Sequence, residues 1–150
     1  MNILWGDDQR TPDLNAAIGE FVASYLERDP FEKFTSMGVF LNGTMVCGVI
    51  FHNYNPDHGV IEISAAATTP RWLNRTVLRE LYGYPFAQLG CQMVVQRVSE
   101  RDTRQDRMLT LGGFDRVFVP RLRGRDEGEW IYTLTDDVWR TNKFYGVSQR

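Results

Sequence analysis

The chain has 150 residues, a formal net charge of −2 and a pI near 5.7, a balance that argues against a general nucleic-acid or membrane-surface binder. Hydrophobic residues make up 43% and aromatic residues 13% of the chain, which excludes the disordered class and predicts one domain over residues 1–150. The N-terminus lacks the apolar core of a signal peptide, and no apolar run approaches the roughly 18 residues of a membrane span.

The first half of the chain predicts a helix followed by three consecutive strands. "NILW" indicates a short edge strand, and Thr11 followed by Pro12 predicts the start of a helix whose apolar residues recur at helical spacing to Leu26. "FEKFTS" fits either a second short helix or a loop. Asn42-Gly43 lies between two β-rich runs and predicts a tight hairpin. "VIEISAAA" predicts the next strand.

The second half alternates between helix and strand. A helix is predicted from about Thr76 to Leu89, with a kink or an early end caused by Gly83 and Pro85. "CQMVVQRVS" predicts a buried strand, and Asp102 is typical of a residue that caps the next helix, which "GGF" ends. "FDRVFVPRL" and "EWIYTLTDD" predict two closing strands. Three consecutive strands followed by alternation predict an α/β, or mixed α+β, fold in which helices flank a mixed sheet.

Cys47 and Cys91 lie inside apolar runs. Because free cysteine behaves as a small buried hydrophobe, both are interpreted as core residues of a protein in the reducing cytoplasm. No spacing typical of a metal site occurs in the sequence.

The element order, the hairpin at Asn42-Gly43 and the segment "LGGFDRV" resemble the GCN5-related N-acetyltransferase (GNAT) family over roughly residues 1–135. The resemblance implies a GNAT-like fold, with a central mixed but mostly antiparallel sheet whose fourth and fifth strands part. It also implies transfer of an acetyl group from acetyl-CoA to an amine on a small molecule or a protein. The pantetheine arm would pair with the end of the fourth strand, and the loop after that strand would hold the pyrophosphate.

The segment "AAATTPRWLNRTVLREL" (65–81) has the strand, loop and helix N-terminus of such a phosphate cradle. The family pattern Arg/Gln-x-x-Gly-x-Gly/Ala falls on Arg71, Asn74 and Thr76, so the arginine is kept and both small residues are replaced. Asparagine tolerates a left-handed backbone, threonine can cap a helix, and exposed N–H groups at a helix start attract anions. We therefore expect a modified cradle, the alternative being a plain strand–helix connection. The cofactor-binding residues implied are Ala66, Ala67, Arg71, Trp72, Leu73, Asn74, Arg75 and Thr76.

Glu62 lies in the strand "VIEIS", where a glutamate acts as general base in some members of the family, including the histone acetyltransferases. The resemblance implies the same catalytic role for Glu62, and the alternative is an outward-facing glutamate paired with an arginine. The usual general acid of the family is a tyrosine at the position of Leu109, so this chain departs from the pattern. The candidate substitutes are Tyr82, Tyr84, Tyr132 and Ser99.

His52 and His58 flank the turn "HNYNPDHG" and are interpreted as exposed polar residues, although imidazole can also serve as a base near neutral pH. The mixed-charge run "PRLRGRDEGE" is interpreted as a solvated hairpin tip. In the family this hairpin often borders the acceptor pocket, so the run is also a candidate determinant of substrate choice.

Two functions from different classes follow. The first is an N-acyltransferase that uses acetyl-CoA, and the second is a non-catalytic GNAT-like structural or interaction protein, encoded by a phage or prophage and associated with a virion. Arg71 and Glu62 favour the enzyme, whereas Leu109 and the missing glycines favour the second function. The protein is expected in the cytoplasm, or in a virion if it is phage-encoded. In either location we expect a homodimer or a complex with an assembly partner.

Overall fold

The computed structural model describes residues 1–146 and contains seven strands, four α-helices and three short helical turns in that range. The strands are β1 (Asn2–Gly6), β2 (Phe34–Leu41), β3 (Thr44–Asn55), β4 (Val60–Ala67), β5 (Met93–Ser99), β6 (Asp115–Val119) and β7 (Glu129–Thr135). The α-helices are α1 (Pro12–Tyr25), α2 (Arg75–Gly83), α3 (Arg104–Leu111) and α4 (Asp136–Thr141). The short turns are two 3₁₀ turns, Pro70–Trp72 and Lys143–Tyr145, and a π-helical turn, Tyr84–Gln88. One domain over 1–150 stays a prediction, and residues 147–150 lie outside the described range.

The strands form one sheet in the order β1-β2-β3-β4-β5-β7-β6. Every neighbouring pair runs antiparallel except β4 and β5, which run parallel with α2 in the connection between them. A parallel pair needs such a crossover because the chain must return to the same end of the sheet. The predicted central sheet, mixed but mostly antiparallel and flanked by helices, is confirmed.

The β2–β3 hairpin has the predicted turn. Asn42 and Gly43 both have positive φ, 51° and 81°, as a two-residue turn matching the strand twist requires. Residues 27–33 contain no helix, so the loop interpretation of "FEKFTS" is the correct one until β2 begins at Phe34.

The helix after β4 ends early, as predicted from its proline. It starts at Arg75 and keeps α-geometry to Gly83. Pro85 has no N–H to continue the ladder, so the chain widens into the π-helical turn, in which the N–H of Leu89 donates to the carbonyl of Tyr84 at 3.0 Å.

Alternation along the strands gives the sheet two apolar faces. Helix α1 covers one face, where Ile18 and Val22 pack with Ile50 of β3. Helix α2, with the segments that follow it, covers the other face, where the larger core includes Ile61 and Ile63. Residues 1–146 include no helix that is both long and apolar enough to cross a membrane.

Candidate functional site

The fourth and fifth strands part after a short stretch of pairing. Parallel pairing runs from Val60 to Glu62 on β4, opposite Met93 to Val95 on β5, and stops there. Beyond this point β4 stays paired with β3 and β5 stays paired with β7. The last five residues of β4 therefore have an edge that faces a gap, with backbone groups that no strand pairs in the described range.

This gap opens into a cavity of about 470 Å³. Its walls include the end of β4, where Ala65, Ala66 and Ala67 contribute only methyl groups, and the loop residues Trp72 and Leu73. Small side chains on one wall allow a ligand to come close to the strand backbone, as an arm that hydrogen-bonds to a strand edge must do. Of the predicted cofactor-binding residues, Ala66, Ala67, Trp72 and Leu73 line this cavity.

The loop between β4 and α2 is ordered by side-chain caps. The Thr69 hydroxyl accepts from the N–H of Arg71 at 3.3 Å, and the Asn74 carbonyl oxygen Oδ1 accepts from the N–H of Val77 at 2.9 Å. Asn74 is thus the N-cap of α2, and its φ of −149° is extended. Asn74 thus does not use the left-handed backbone that asparagine tolerates, and its own side chain, rather than that of Thr76, forms the cap.

Two cations stand beside this helix start. Arg71, Asn74, Arg75 and Thr76 are all exposed. Neither Arg71 nor Arg75 forms a salt bridge within residues 1–146. Unpaired guanidinium groups at the positive end of a helix favour a bound anion.

Glu62 stands where β4 and β5 part, on the sheet face that α1 covers. Its side chain is 15% exposed, and its two oxygens have different neighbours. Oε1 accepts from Asn53 Nδ2 at 3.1 Å, and Oε2 lies 3.5 Å from His52 Nε2. The partners of Glu62 are therefore an amide and an imidazole. The alternative of an outward-facing glutamate paired with an arginine is not what the structure has.

His52 is a buried strand residue, so its interpretation as an exposed turn residue is wrong. Strand β3 runs on to Asn55, which leaves His52 only 7% exposed beside Phe31. Its Nε2 lies 2.8 Å from Ser64 Oγ. Burial lowers the pKa of His52, Glu62 opposes this shift, and the charges of Arg28 and Arg97 add to it. Only His58 is exposed as expected.

The lowered pKa of His52 predicts a pH dependence of stability. The unfolded histidine takes up a proton as pH falls through about 6.5, whereas the folded one resists until a lower pH. The native state then binds fewer protons, so the free energy of unfolding falls across this window. His52→Gln should show a smaller loss of melting temperature between pH 7.5 and 5.5 than the wild type. The exposed-site control, His58→Gln, should keep the wild-type loss, and an equal loss in both variants would contradict the assignment.

The four candidate general acids differ in their positions. Tyr82 lines the cavity, Tyr84 packs on Trp5, Tyr132 donates to Asp106, and Ser99 donates to Glu127. Tyr132 and Ser99 thus have their hydroxyl protons committed to carboxylates outside the cavity.

A further tyrosine, which the sequence did not single out, also lines the cavity. Tyr145 lies in the last 3₁₀ turn, and its hydroxyl donates to the Gly112 carbonyl at 2.6 Å. Leu109, at the family's tyrosine position, is buried in the same wall. Burial raises the pKa of both Tyr82 and Tyr145, which makes each a weak proton donor.

Cys47 also lines the cavity, at the pairing position opposite Ala67. Burial raises the pKa of its thiol to about 12. Since the thiolate is the nucleophilic form, this cysteine stays an inert wall residue at neutral pH. Both cysteines are free and buried, as predicted.

The hairpin tip is not wholly solvated. Glu129 is 2% exposed and accepts from Arg97 on β5 at 2.8 Å and from Arg123 at 3.1 Å. The hydrogen bond to Glu129 raises the pKa of Arg97. The interpretation of this charged run as a solvated tip is therefore wrong for Glu129, whose pair with Arg97 joins the hairpin to β5, but it holds for Arg123, which is exposed.

A mixed sheet whose fourth and fifth strands part, with a loop and a helix start beside the gap, is the arrangement expected of the class of GNAT-fold proteins. The sequence matches no family model and no curated protein. Solved structures do match. A spermidine N-acetyltransferase from Vibrio cholerae, in complex with CoA and spermine, shares 14% identity over 91% of this chain and 97% of its own, with a TM-score of 0.66.

Two further solved acetyltransferase structures are also similar to this chain. The Salmonella typhimurium protein yncA, with its cofactor acetyl-CoA, shares 16% identity over 90% of this chain and 93% of its own, with a TM-score of 0.67. A GNAT-family acetyltransferase from Bacillus anthracis shares 18% identity over 79% of this chain and 72% of its own, with a TM-score of 0.56. The chain spans only 61% and 62% of two longer acetyltransferase structures. At these identities the likeness concerns the fold, and it confirms the predicted GNAT-like fold.

Proposed function

We propose that this protein is an N-acetyltransferase that moves the acetyl group of acetyl-CoA to an amine. The observation that carries the proposal is the gap between β4 and β5, which continues into a cavity beside a helix start with two arginines that form no salt bridge within residues 1–146. The likeness to structures that hold CoA or acetyl-CoA supports it.

The chain supplies groups suited to each part of acetyl-CoA. The unpaired edge of β4 at Ala66 and Ala67 would take the pantetheine amides, and Trp72 and Leu73 would wall the arm. Arg71, Arg75 and the first N–H groups of α2, which have no acceptor inside the helix, would meet the phosphates. Asn74 already occupies the N–H of Val77, so this cradle offers one donor fewer than an uncapped helix start.

Glu62 is suited to remove a proton from the amine. In the reaction the amine nitrogen forms a bond to the thioester carbon, the carbon–sulfur bond breaks, and its electron pair leaves on sulfur. The nitrogen gives up a proton to Glu62, either directly or through one water molecule. Water at the open end of the cavity would protonate the sulfur, since Leu109 offers no proton and Tyr82 and Tyr145 hold theirs in buried hydrogen bonds.

The second candidate is a non-catalytic GNAT-like structural or interaction protein. Leu109 at the acid position and the capped, glycine-free loop favour it. The likenesses give no support to the phage or virion part of this alternative. The two candidates differ before any acceptor is known, because only the enzyme requires acetyl-CoA.

Acetyl-CoA is therefore expected to raise the melting temperature of the protein, since a ligand that binds only the native state stabilises it by mass action. Titration calorimetry should give saturable binding over the same concentrations. A folded sample with neither heat nor a melting shift at millimolar acetyl-CoA would remove the proposed enzyme and leave the non-catalytic alternative.

Arg71→Ala should weaken acetyl-CoA binding more than Arg79→Ala. Both side chains are exposed arginines, but Arg71 lies in the loop whereas Arg79 lies one turn inside α2. Loss of one charge-assisted phosphate contact costs about 1.5–3 kcal/mol. Calorimetry on both variants measures the difference, and equal affinities would show that the phosphates bind elsewhere.

A further inference from the structure

Gln96 has a side-chain donor that the fold leaves without a partner. It is the first residue of β5 after the parallel pairing with β4 ends, and its side chain is in the cavity wall although only 4% of the residue is exposed. Its Oε1 accepts from the hydroxyl of Tyr82 at 2.9 Å. Its Nε2 has no hydrogen-bond partner within residues 1–146 and is not fully enclosed by the protein.

Tyr82 fixes the orientation of this amide. The tyrosine is buried, and its hydroxyl has a single proton to donate. Because a buried hydroxyl needs an acceptor, the carbonyl oxygen of Gln96 faces Tyr82 and the NH₂ group faces away from it. A donor left unpaired in a largely buried side chain costs free energy, and the residue that carries this donor lines the cavity that opens where the strands part.

Glu62 and Gln96 lie on opposite faces of the sheet at this point. Glu62 pairs with Val95, the neighbour of Gln96, and alternation sends successive side chains to opposite faces. An amine beside Glu62 would therefore approach a thioester in the gap from the sheet face that carries Glu62. The thioester oxygen can then point to the other face, toward the amide of Gln96.

We propose that Gln96, oriented by Tyr82, donates a hydrogen bond from Nε2 to the thioester carbonyl oxygen of the bound acyl donor. As the amine nitrogen bonds to the carbonyl carbon, the carbonyl electron pair moves to oxygen, and the amide stabilises this charge without giving up its proton. The pair returns as the carbon–sulfur bond breaks. This inference rests on the proposed acetyl-transfer function and adds a donor for the developing oxyanion.

The test is infrared difference spectroscopy of acetyl-CoA labelled with ¹³C at the thioester carbonyl and bound to the protein. In the wild type the carbonyl band should lie at lower wavenumber than that of a simple thioester in an aprotic solvent, because a hydrogen bond weakens the C=O bond. In Gln96→Met, which keeps the side-chain length and removes the donor, the band should return toward the higher value. The affinity for CoA, which has no thioester, should change less than threefold. The control Gln88→Met, at an exposed position, should keep the wild-type band.

Once an acceptor is identified, Gln96→Met should lower kcat by about 10²–10³, the usual effect of losing one oxyanion donor. If this variant does not fold because Tyr82 loses its acceptor, the double variant Tyr82→Phe/Gln96→Met leaves no unpaired hydroxyl and should show the same band. An unchanged band in a folded variant that binds acetyl-CoA would overturn the role of Gln96 alone. A wild type that fails to bind acetyl-CoA would overturn the proposed function and this role together.

Discussion

Glu62→Gln should lower turnover on a responsive amine by about 10²–10⁴, the usual contribution of a positioned general base, while acetyl-CoA affinity changes little. Glutamine keeps the shape of the side chain and an oxygen that can accept from Asn53, which now donates to Oε1 at 3.1 Å. What it loses is the capacity to take up a proton from the amine. The effect should therefore fall on the rate and leave binding almost unchanged.

The measurement starts from a screen of amines with acetyl-CoA, followed by rates over pH for the wild type and the variant. The wild-type rate should exceed the rate of the variant at each pH at which both proteins remain folded. Glu80→Gln, at an exposed position on α2, is the matched control and should behave as the wild type does. If Glu62→Gln were fully active, the proton would go to water or to His52.

A purely structural Glu62 would give a different pattern. Its neighbours are Asn53 and His52, and the His52 pair becomes ionic only when the imidazole is protonated. Because burial lowers the pKa of His52, the pair is not ionic at neutral pH, and its loss should cost little stability there. The structural role therefore predicts a small change in unfolding free energy with intact turnover, and urea unfolding beside the rate measurement separates the two roles.

Much of the fold could be predicted because its signals are local. Asn42-Gly43 fixes the β2–β3 hairpin through two residues that accept positive φ, and Pro85 fixes the early end of α2 through a missing N–H. The order of strands and helices then limits the topology, since a helix between two strands implies a parallel crossover. These features need no knowledge of distant contacts.

The surroundings of the site could not be predicted in the same way. His52 looked like a turn residue because the turn signal "NPDHG" follows closely, but β3 extends three residues past it. The orientation of the Gln96 amide depends on Tyr82, fourteen residues earlier, whose hydroxyl donates to Oε1 and so leaves Nε2 without a partner in the described residues. Tyr145 reaches the cavity from the far end of the chain. Each depends on contacts between elements, which periodicity and turn chemistry do not specify.

Arg97→Met should destabilise the protein by about 1.5–3 kcal/mol, the cost of losing hydrogen bonds to a charged group. Glu129 is 2% exposed and Arg97 is 44% exposed. The arginine donates to Oε2 through both Nε and Nη2. Its removal leaves a buried carboxylate whose remaining salt-bridge partner within residues 1–146 is Arg123. Urea unfolding at pH 7 measures the loss, and Arg101→Met is the matched control.

Arg101 is 67% exposed and pairs with Glu127 at 3.2 Å, so its loss should cost at most about 1 kcal/mol. Equal effects of the two substitutions would contradict a special role for the buried pair.

The double variant Arg97→Met/Glu129→Met removes the buried carboxylate and should be more stable than Arg97→Met alone. The pair also lies on the part of β5 beyond its pairing with β4, where β7 is the one strand paired with it within residues 1–146. If the Arg97–Glu129 pair holds this end of β5 in place, Arg97→Met should also weaken acetyl-CoA binding, and the double variant should regain stability without regaining affinity.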